Sequence, residues 1–438
     1  MDDDRRVIDP GVVAIREDRV AAVGPAEDAV GWAAARTMDC RGRAVLPGLV
    51  DCHTHLFQSL AKGIGDGLAL WPWLREVMWP YGAALSGGDA RAAAYLGAVQ
   101  AVAGGTTALL DHHGGPTDLE AVLAQARAIE EVGLRGVVGR TIRGPRPVPG
   151  AQVGVPTSLS RSSEEELEIT RAAIDARPPG GRLTVWPAPA NPVHVAPETF
   201  LAAVELADVM GTGWHTHCSE DRTDPDRFRE AYGKRPVEWM SEEGLLDGHA
   251  TLAHAIWLDE GEIELVGATS TGVSHNPVSN AYLGAGLMPL RRLRGAGAVV
   301  GLGTDGPAVA GMGILECVKQ AVLLQRLDAL DPEAVSARAA LELATREGAR
   351  YLGIDSGVVE PGKLADLVVL DLRSAHASPV HDPAAAAVYL ANGRDVEATI
   401  VGGRVVYEAG RCMLVDQDEI LAEAQVRAAS VAERLGWR

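Results

Sequence analysis

Between Val45 and Asp305 the chain repeats one arrangement of apolar and polar positions: a short β-rich run, a polar loop, then an Ala-rich stretch with helical spacing. Eight β-rich runs stand out. They are VLPGLVDCHTH (45–55), TALLDHH (107–113), RGVVGRT (135–141), RLTVWPAPA (182–190), GTGWHTHC (211–218), TLAHAI (251–256), TGVSHNP (271–277) and VVGLGTD (299–305). Helical patterns fall between several of them, at 88–104, 119–132 and 164–176. Strands that alternate with helices imply parallel β/α units. Eight such units imply an α/β protein built on a closed (β/α)8 TIM-type barrel, expected over residues 47–361.

The flanks follow another rhythm. Residues 10–46 and 362–408 carry short alternating strands separated by turn residues, among them VVAI, RVAAVG and ADLVVLDL. Neither half is large enough to be stable alone, so 1–46 and 362–415 are expected to meet as one small β-sandwich beside the barrel. The tail, 416–438, reads as a surface helix with Asp416 and Glu419 in capping-box spacing.

Composition narrows the function classes. The 438 residues carry a formal charge of −19, which argues against nucleic acid or an anionic membrane surface as partner. Five cysteines, an odd number without a CxxC pair, fit a reducing compartment. No apolar run reaches ~18 residues and no basic segment leads into an apolar one near the start, so a soluble, cytoplasmic protein is expected.

Polar residues gather at the C-terminal ends of the β-rich runs, the edge of a barrel where chemistry sits: His53, His55, Asp111 to His113, Arg140, His217, His254, His275 and Asp305. His53-Thr54-His55 ends the first run, and side chains at i and i+2 of a strand share a face, so both imidazoles can hold one ion. A second such pair, His215-Thr216-His217, is followed by Glu220, and Asp305 ends the eighth run. Three histidines and a carboxylate suit one divalent ion per chain, zinc in the first place and iron(II) in the second. Spacing leaves open which of His215 and His217 is the ligand. The chain has four lysines, none near the fourth run, so a carboxylated lysine bridging two metals is not expected. An ion of this kind brings the pKa of its water toward ~7. Glu220 can then take the water proton and deliver it to a ring nitrogen; an exposed loop glutamate is its bland alternative. His254 can orient the attacking hydroxide, and Asp305 can protonate the leaving group.

The segments LPGLVDCHTH, HTHCSE, TLAHAIWL, SHNPVSNAYLGAG, GLGTDGP and PGKLADLVVLDL resemble the amidohydrolase superfamily. More narrowly they resemble the aminohydrolases that act on guanine, 8-oxoguanine, S-adenosylhomocysteine or methylthioadenosine, and s-triazines. GGRLTVWPAPA and PVSNAYLGAG are most similar to atrazine chlorohydrolase and melamine deaminase. The resemblance implies metal ligands at His53, His55, His217 and Asp305, an acid/base glutamate at Glu220 and a supporting histidine at His254. It also implies a barrel with a β-sandwich and a homodimer or higher homo-oligomer. Three departures stand out. Gly82, Ala190 and Val309 occupy positions where nucleoside-binding relatives carry glutamate, histidine and serine, which weakens an S-adenosylhomocysteine or methylthioadenosine reading. For substrate contacts, Gln58 offers a two-point hydrogen bond to a heterocycle edge. Trp73, in LWPWLREVMWP, sits where relatives stack an aromatic ring, with loop packing as the alternative. Arg140 can anchor a carbonyl or anion, with a structural ion pair as the alternative. His112 and His113 can line the pocket, with merely filling it as the alternative, and Asn280 is expected to fix loop geometry.

The expected reaction is hydrolytic deamination of an aminated aromatic N-heterocycle, purine-, pterin-, pyrimidine- or triazine-like: hydroxide formed at the ion attacks the ring carbon and ammonia leaves. The rivals are loss of chloride or an alkylamine, opening of a cyclic amide, a two-metal dihydropyrimidinase-like hydrolase, and a scaffold that has lost its metal.

Overall fold

The computed structural model describes residues 5–145, 148–149 and 155–437. Its strands in chain order are β1 (Gly11–Arg16), β2 (Arg19–Pro25), β3 (Arg43–Pro47), β4 (Leu49–Thr54), β5 (Thr106–His113), β6 (Arg135–Ile142), β7 (Leu183–Pro189) and β8 (Trp214–Cys218). There follow β9 (Ala250–His254), β10 (Gly272–His275), β11 (Val299–Leu302), β12 (Leu367–Asp371), β13 (Val396–Val401), β14 (Arg404–Glu408) and β15 (Arg411–Cys412).

β4 to β7 form one four-stranded parallel sheet and β8 to β11 a second. At one seam the Asp305 amide donates to the His53 carbonyl (2.8 Å) and the His55 amide to the Asp305 carbonyl (3.2 Å). At the other the His217 amide reaches the Ala190 carbonyl at 3.4 Å. The eight parallel strands thereby close into a barrel, and helices such as Gly87–Ala103, Leu119–Val132 and Ser163–Ala176 cover its outside. β4 and β5 are buried along their whole length, as strands covered on both faces must be.

The run at 45–55 is two elements rather than one. β3 leaves the barrel and pairs antiparallel with β12, and β4 begins after Gly48. A Cβ at Gly48 would lie 2.3 Å from the Thr107 side chain, so only glycine allows the chain to change sheets there. β3 is an edge of the five-stranded sheet β15-β14-β13-β12-β3. The β1–β2 hairpin packs on that sheet through Val13 and Val23 against Val45, Leu367, Ile400 and Val405, giving the small sandwich from both chain ends. The stretch between β12 and β13 is not part of it. It forms the helix Pro383–Tyr389, whose Ala386, Ala387 and Val388 join the barrel's core.

The helix Gln417–Leu435 starts where the Asp416 carboxylate accepts from the amides of Asp418 and Glu419. It is tied to the barrel by Arg434 to Asp89 (2.6 Å), and beyond it Trp437 stacks on Tyr81 at 5.8 Å. Tyr81 in turn donates to the Phe57 carbonyl (2.6 Å), in the turn that follows His55. Among the described residues no helix is long and apolar enough to cross a membrane.

Candidate metal centre

His53 lies near the end of β4 and His55 just past it, so the alternation of the strand aims both rings into the barrel mouth. Their Nε2 atoms lie 3.3 and 3.2 Å from Asp305 Oδ1, and His55 Nε2 lies 3.2 Å from His217 Nε2. Four donors around an ion at bond lengths of about 2.0–2.1 Å sit roughly 3.3 Å apart, so these separations suit tetrahedral coordination. The far sides of the rings agree. His55 Nδ1 donates to the His112 carbonyl and His217 Nδ1 to the Ala190 carbonyl, each at 2.7 Å. A carbonyl only accepts, so both Nδ1 atoms carry the proton and both Nε2 atoms present lone pairs. The buried His53 Nε2 makes no hydrogen bond. His53, His55 and His217, and again His53, His254 and Asp305, offer ligand atoms within 4.8 Å of one another. The residues present therefore fit a divalent ion. His215 lies deeper, with Nε2 on His53 Nδ1 (2.9 Å), so His217 is the member of the second pair that faces His55 and Asp305.

Asp305 follows β11 with φ +61°, and His254 ends β9 with φ +71°. Left-handed backbone costs a non-glycine residue about 1–3 kcal/mol and tends to mark functional sites. Asp305 Oδ2 accepts a 2.5 Å bond from Ser279, a residue of the SHNPVSN segment whose role the sequence does not reveal. His254 Nδ1 lies 2.9 Å from Asn280 Oδ1, and its Nε2 lies 3.6 Å from Glu220 Oε2 and 3.9 Å from Asp305 Oδ2. Glu220 is buried; that burial, reinforced by the negative charge of Asp305, pushes its carboxyl well above the ordinary glutamate range. A carboxylate so placed has a raised affinity for a proton, as a group that takes one from water and hands it on requires.

The expected substrate contacts divide. Gln58 is buried against Gly306, with Oε1 unpartnered. His112 faces the cluster, its ring 4.5 Å from that of His217. His113 turns elsewhere: Nε2 donates to the Pro116 carbonyl (2.7 Å) and the ring meets Phe57 edge-on, so it fixes the loop. Trp73 packs in a buried cluster with Leu70, Val77 and Tyr81, its indole N–H directed at the Ile64 carbonyl (3.4 Å). It is a packing residue. Trp71 instead stands 5.0 Å from the His194 ring with its buried indole N–H unpartnered. Neither Trp71 nor His194 was singled out by spacing. Arg140 is fully buried and spends its donors on the Thr117 carbonyl, Thr170 and the Glu166 carboxylate, so it anchors protein rather than substrate. Asn280 Oδ1 fixes the His254 ring, and its Nδ2 has no hydrogen-bond partner among the described residues.

Residues 44–406 match the Amidohydrolase family. The chain is 38% identical over 430 residues to the 5-methylthioadenosine/S-adenosylhomocysteine deaminase of Symbiobacterium thermophilum, covering 97% of this chain and 94% of that protein. It superposes with a TM-score of 0.90 on a zinc-bound adenosine deaminase from Xanthomonas campestris, 28% identical, over 97% of this chain and 94% of the other. It superposes equally, at 0.90, on a triazine hydrolase from Arthrobacter aurescens, 26% identical, over 98% of this chain and 96% of the other.

Proposed function

From the premise that the chain belongs to the amidohydrolase family, we propose that it removes an exocyclic amine from an aromatic N-heterocycle by hydrolysis, with ammonia as the second product. The observation that carries this reading is Glu220 and His254 standing 3.6 Å apart beside three convergent imidazoles and Asp305. Ring deamination needs one group to move a proton from water to a ring nitrogen, and Glu220 is the carboxyl beside the imidazoles that can do so.

His53, His55, His217 and Asp305 would hold the ion, which we assign as zinc because the donor set is three imidazoles and one carboxylate. When bound, a divalent ion lowers the pKa of water toward neutrality. The remaining work falls to side chains. Glu220 accepts a proton from the attacking water and passes it to the ring nitrogen, making the adjacent carbon electrophilic. His254, held through Nδ1 by Asn280 Oδ1, presents the lone pair of Nε2 and can accept from the attacking water, orienting it. Asp305 takes the second proton and gives it to the departing amine. Gln58 and His112 are assigned to the heterocycle edge.

We favour a base-sized heterocycle, because Gly82, Ala190 and Val309 offer no side-chain polar group to a ribose. The second reading is an adenine nucleoside such as 5-methylthioadenosine, favoured by the 38% identity to a deaminase of that substrate. We further propose a cytoplasmic enzyme, because all five cysteines are unpaired and the −19 charge suits a free enzyme over one bound to polyanions, and a homo-oligomer on the family resemblance alone. The test is ammonia release by wild type and Glu220→Gln over nucleobases, pterins, triazines and nucleosides. A fall of about 10²–10⁴-fold with metal content unchanged is expected; normal turnover by Glu220→Gln would refute the mechanism.

A further inference from the structure

Two of the three imidazoles are oriented by backbone carbonyls, which can only accept, so their tautomers are imposed. His53 differs. Its Nδ1 partner is another imidazole, His215 Nε2 at 2.9 Å, and an imidazole nitrogen can be either donor or acceptor. Were the proton on His215 Nε2, His53 would carry its own on Nε2, pointing it at Asp305 and blocking ligation. Something must set the direction.

The protons can be followed outward. In the parallel pairing of β8 with β9, His215 lies opposite Thr251. The Thr251 hydroxyl has a single proton and donates it to the Trp214 carbonyl at 2.8 Å. Toward His215 Nδ1, 2.9 Å away, it can therefore only accept. That places the proton of His215 on Nδ1 and leaves Nε2 as a lone pair. His53 Nδ1 must then donate, and His53 Nε2 is left bare beside Asp305 Oδ1. The Tyr351 hydroxyl, 3.3 Å from His215 Nδ1, closes the far end of this buried chain. We propose that the Trp214 carbonyl, Thr251 and His215 form a one-directional hydrogen-bond relay that locks His53 in the tautomer able to bind the ion. His215 is then a positioning residue, and Thr251 the group that decides its polarity. The inference rests on His53 being a ligand, as the reading above has it.

The test uses metal-free wild type, His215→Leu, His215→Gln and Thr251→Val, each titrated with Co²⁺, reading affinity, ions per chain and the visible cobalt absorption. His215→Leu is expected to weaken binding about 10–100-fold, the usual cost of losing an outer partner of a ligand histidine, and to shift the cobalt bands. His215→Gln, whose amide can accept from His53 and donate to Thr251, is expected to recover most of both. Thr251→Val should move them in the same direction as His215→Leu by less. Wild-type affinity and spectrum in His215→Leu would overturn the relay. If His215→Leu does not fold, as judged by melting of the metal-free protein, wild-type behaviour of Thr251→Val overturns it instead. Two ions per wild-type chain falling to one in His215→Leu would also overturn it, making His215 a ligand together with His53 and His112, whose nitrogens also converge. Wild type that binds no cobalt would sink the metal reading itself.

Discussion

Ser279 donates a 2.5 Å hydrogen bond to Oδ2 of Asp305, while Oδ1 of the same carboxylate faces His53 and His55. One oxygen is thus held by a hydroxyl and the other left for the ion. A hydrogen bond to a charged acceptor is worth about 1.5–3 kcal/mol. Ser279→Ala should therefore lower kcat/KM roughly 10–100-fold while the chain keeps its metal. Loss of metal in equal measure would show instead that Ser279 supports ligation alone.

Removing the ion should loosen the centre. Asp305 Oδ1 lies 3.3 and 3.2 Å from Nε2 of His53 and His55, and His55 Nε2 lies 3.2 Å from His217 Nε2, a buried set of donors that a shared ion would tie together. A chelator should abolish ammonia release and lower the melting temperature, and zinc should restore both. Ion held at ~1,000 times its dissociation constant stabilises the fold by about 4 kcal/mol. Turnover untouched by a chelator that strips the metal would end the case for metal-dependent chemistry.

Arg140 gives a test that separates anchoring from substrate binding. It is buried against the buried Glu166, which also accepts from the amides of Arg143 and Gly144. Arg140→Met leaves that carboxylate without its cation, which should cost about 3–5 kcal/mol in denaturant unfolding. KM of the folded protein should stay near wild type. A raised KM with stability intact would return Arg140 to the pocket.

The division between what the chain discloses and what it hides follows from the range of the interactions. Eight β/α units are legible because strands buried on both faces read as apolar runs, and the polar residues that interrupt them, His53, His217 and Asp305 among them, fall at one end of each. The break at Gly48 is hidden because β3 and β4 form a single apolar run, and only the distant partners β12 and Thr107 divide it. Trp71 and Trp73 are two residues apart in one helical segment, and which of them packs under Tyr81 is settled by neighbours far off in sequence. Arg140 looks like an anchor at a strand end until Glu166, 26 residues later, is seen beside it. His215 is visible as half of a second HxH, but its partner Thr251 lies on the next strand, 36 residues away.

Asp224 carries a prediction about pH. It opens the helix Asp224–Tyr232, four residues past Glu220, and is fully buried. Oδ2 accepts from the Asp221 amide at 3.1 Å, but Oδ1 has no partner. Burial, only partly offset by that hydrogen bond, pushes its carboxyl up to about 8 from an ordinary 3.8. The folded chain then holds a proton there that the unfolded chain releases above about 4. Between these values the native state binds more protons, so stability must fall as pH rises, by up to about 1.4 kcal/mol per pH unit from this group alone. The contribution is complete below about pH 4 and lost once pH passes about 8. Asp224→Asn keeps the shape and removes the titration. Urea unfolding at pH 5, 6 and 7 should show wild type losing stability relative to Asp224→Asn at each step. Parallel curves would mean that the Asp224 carboxylate is ionised in the fold and solvated by something it does not touch here.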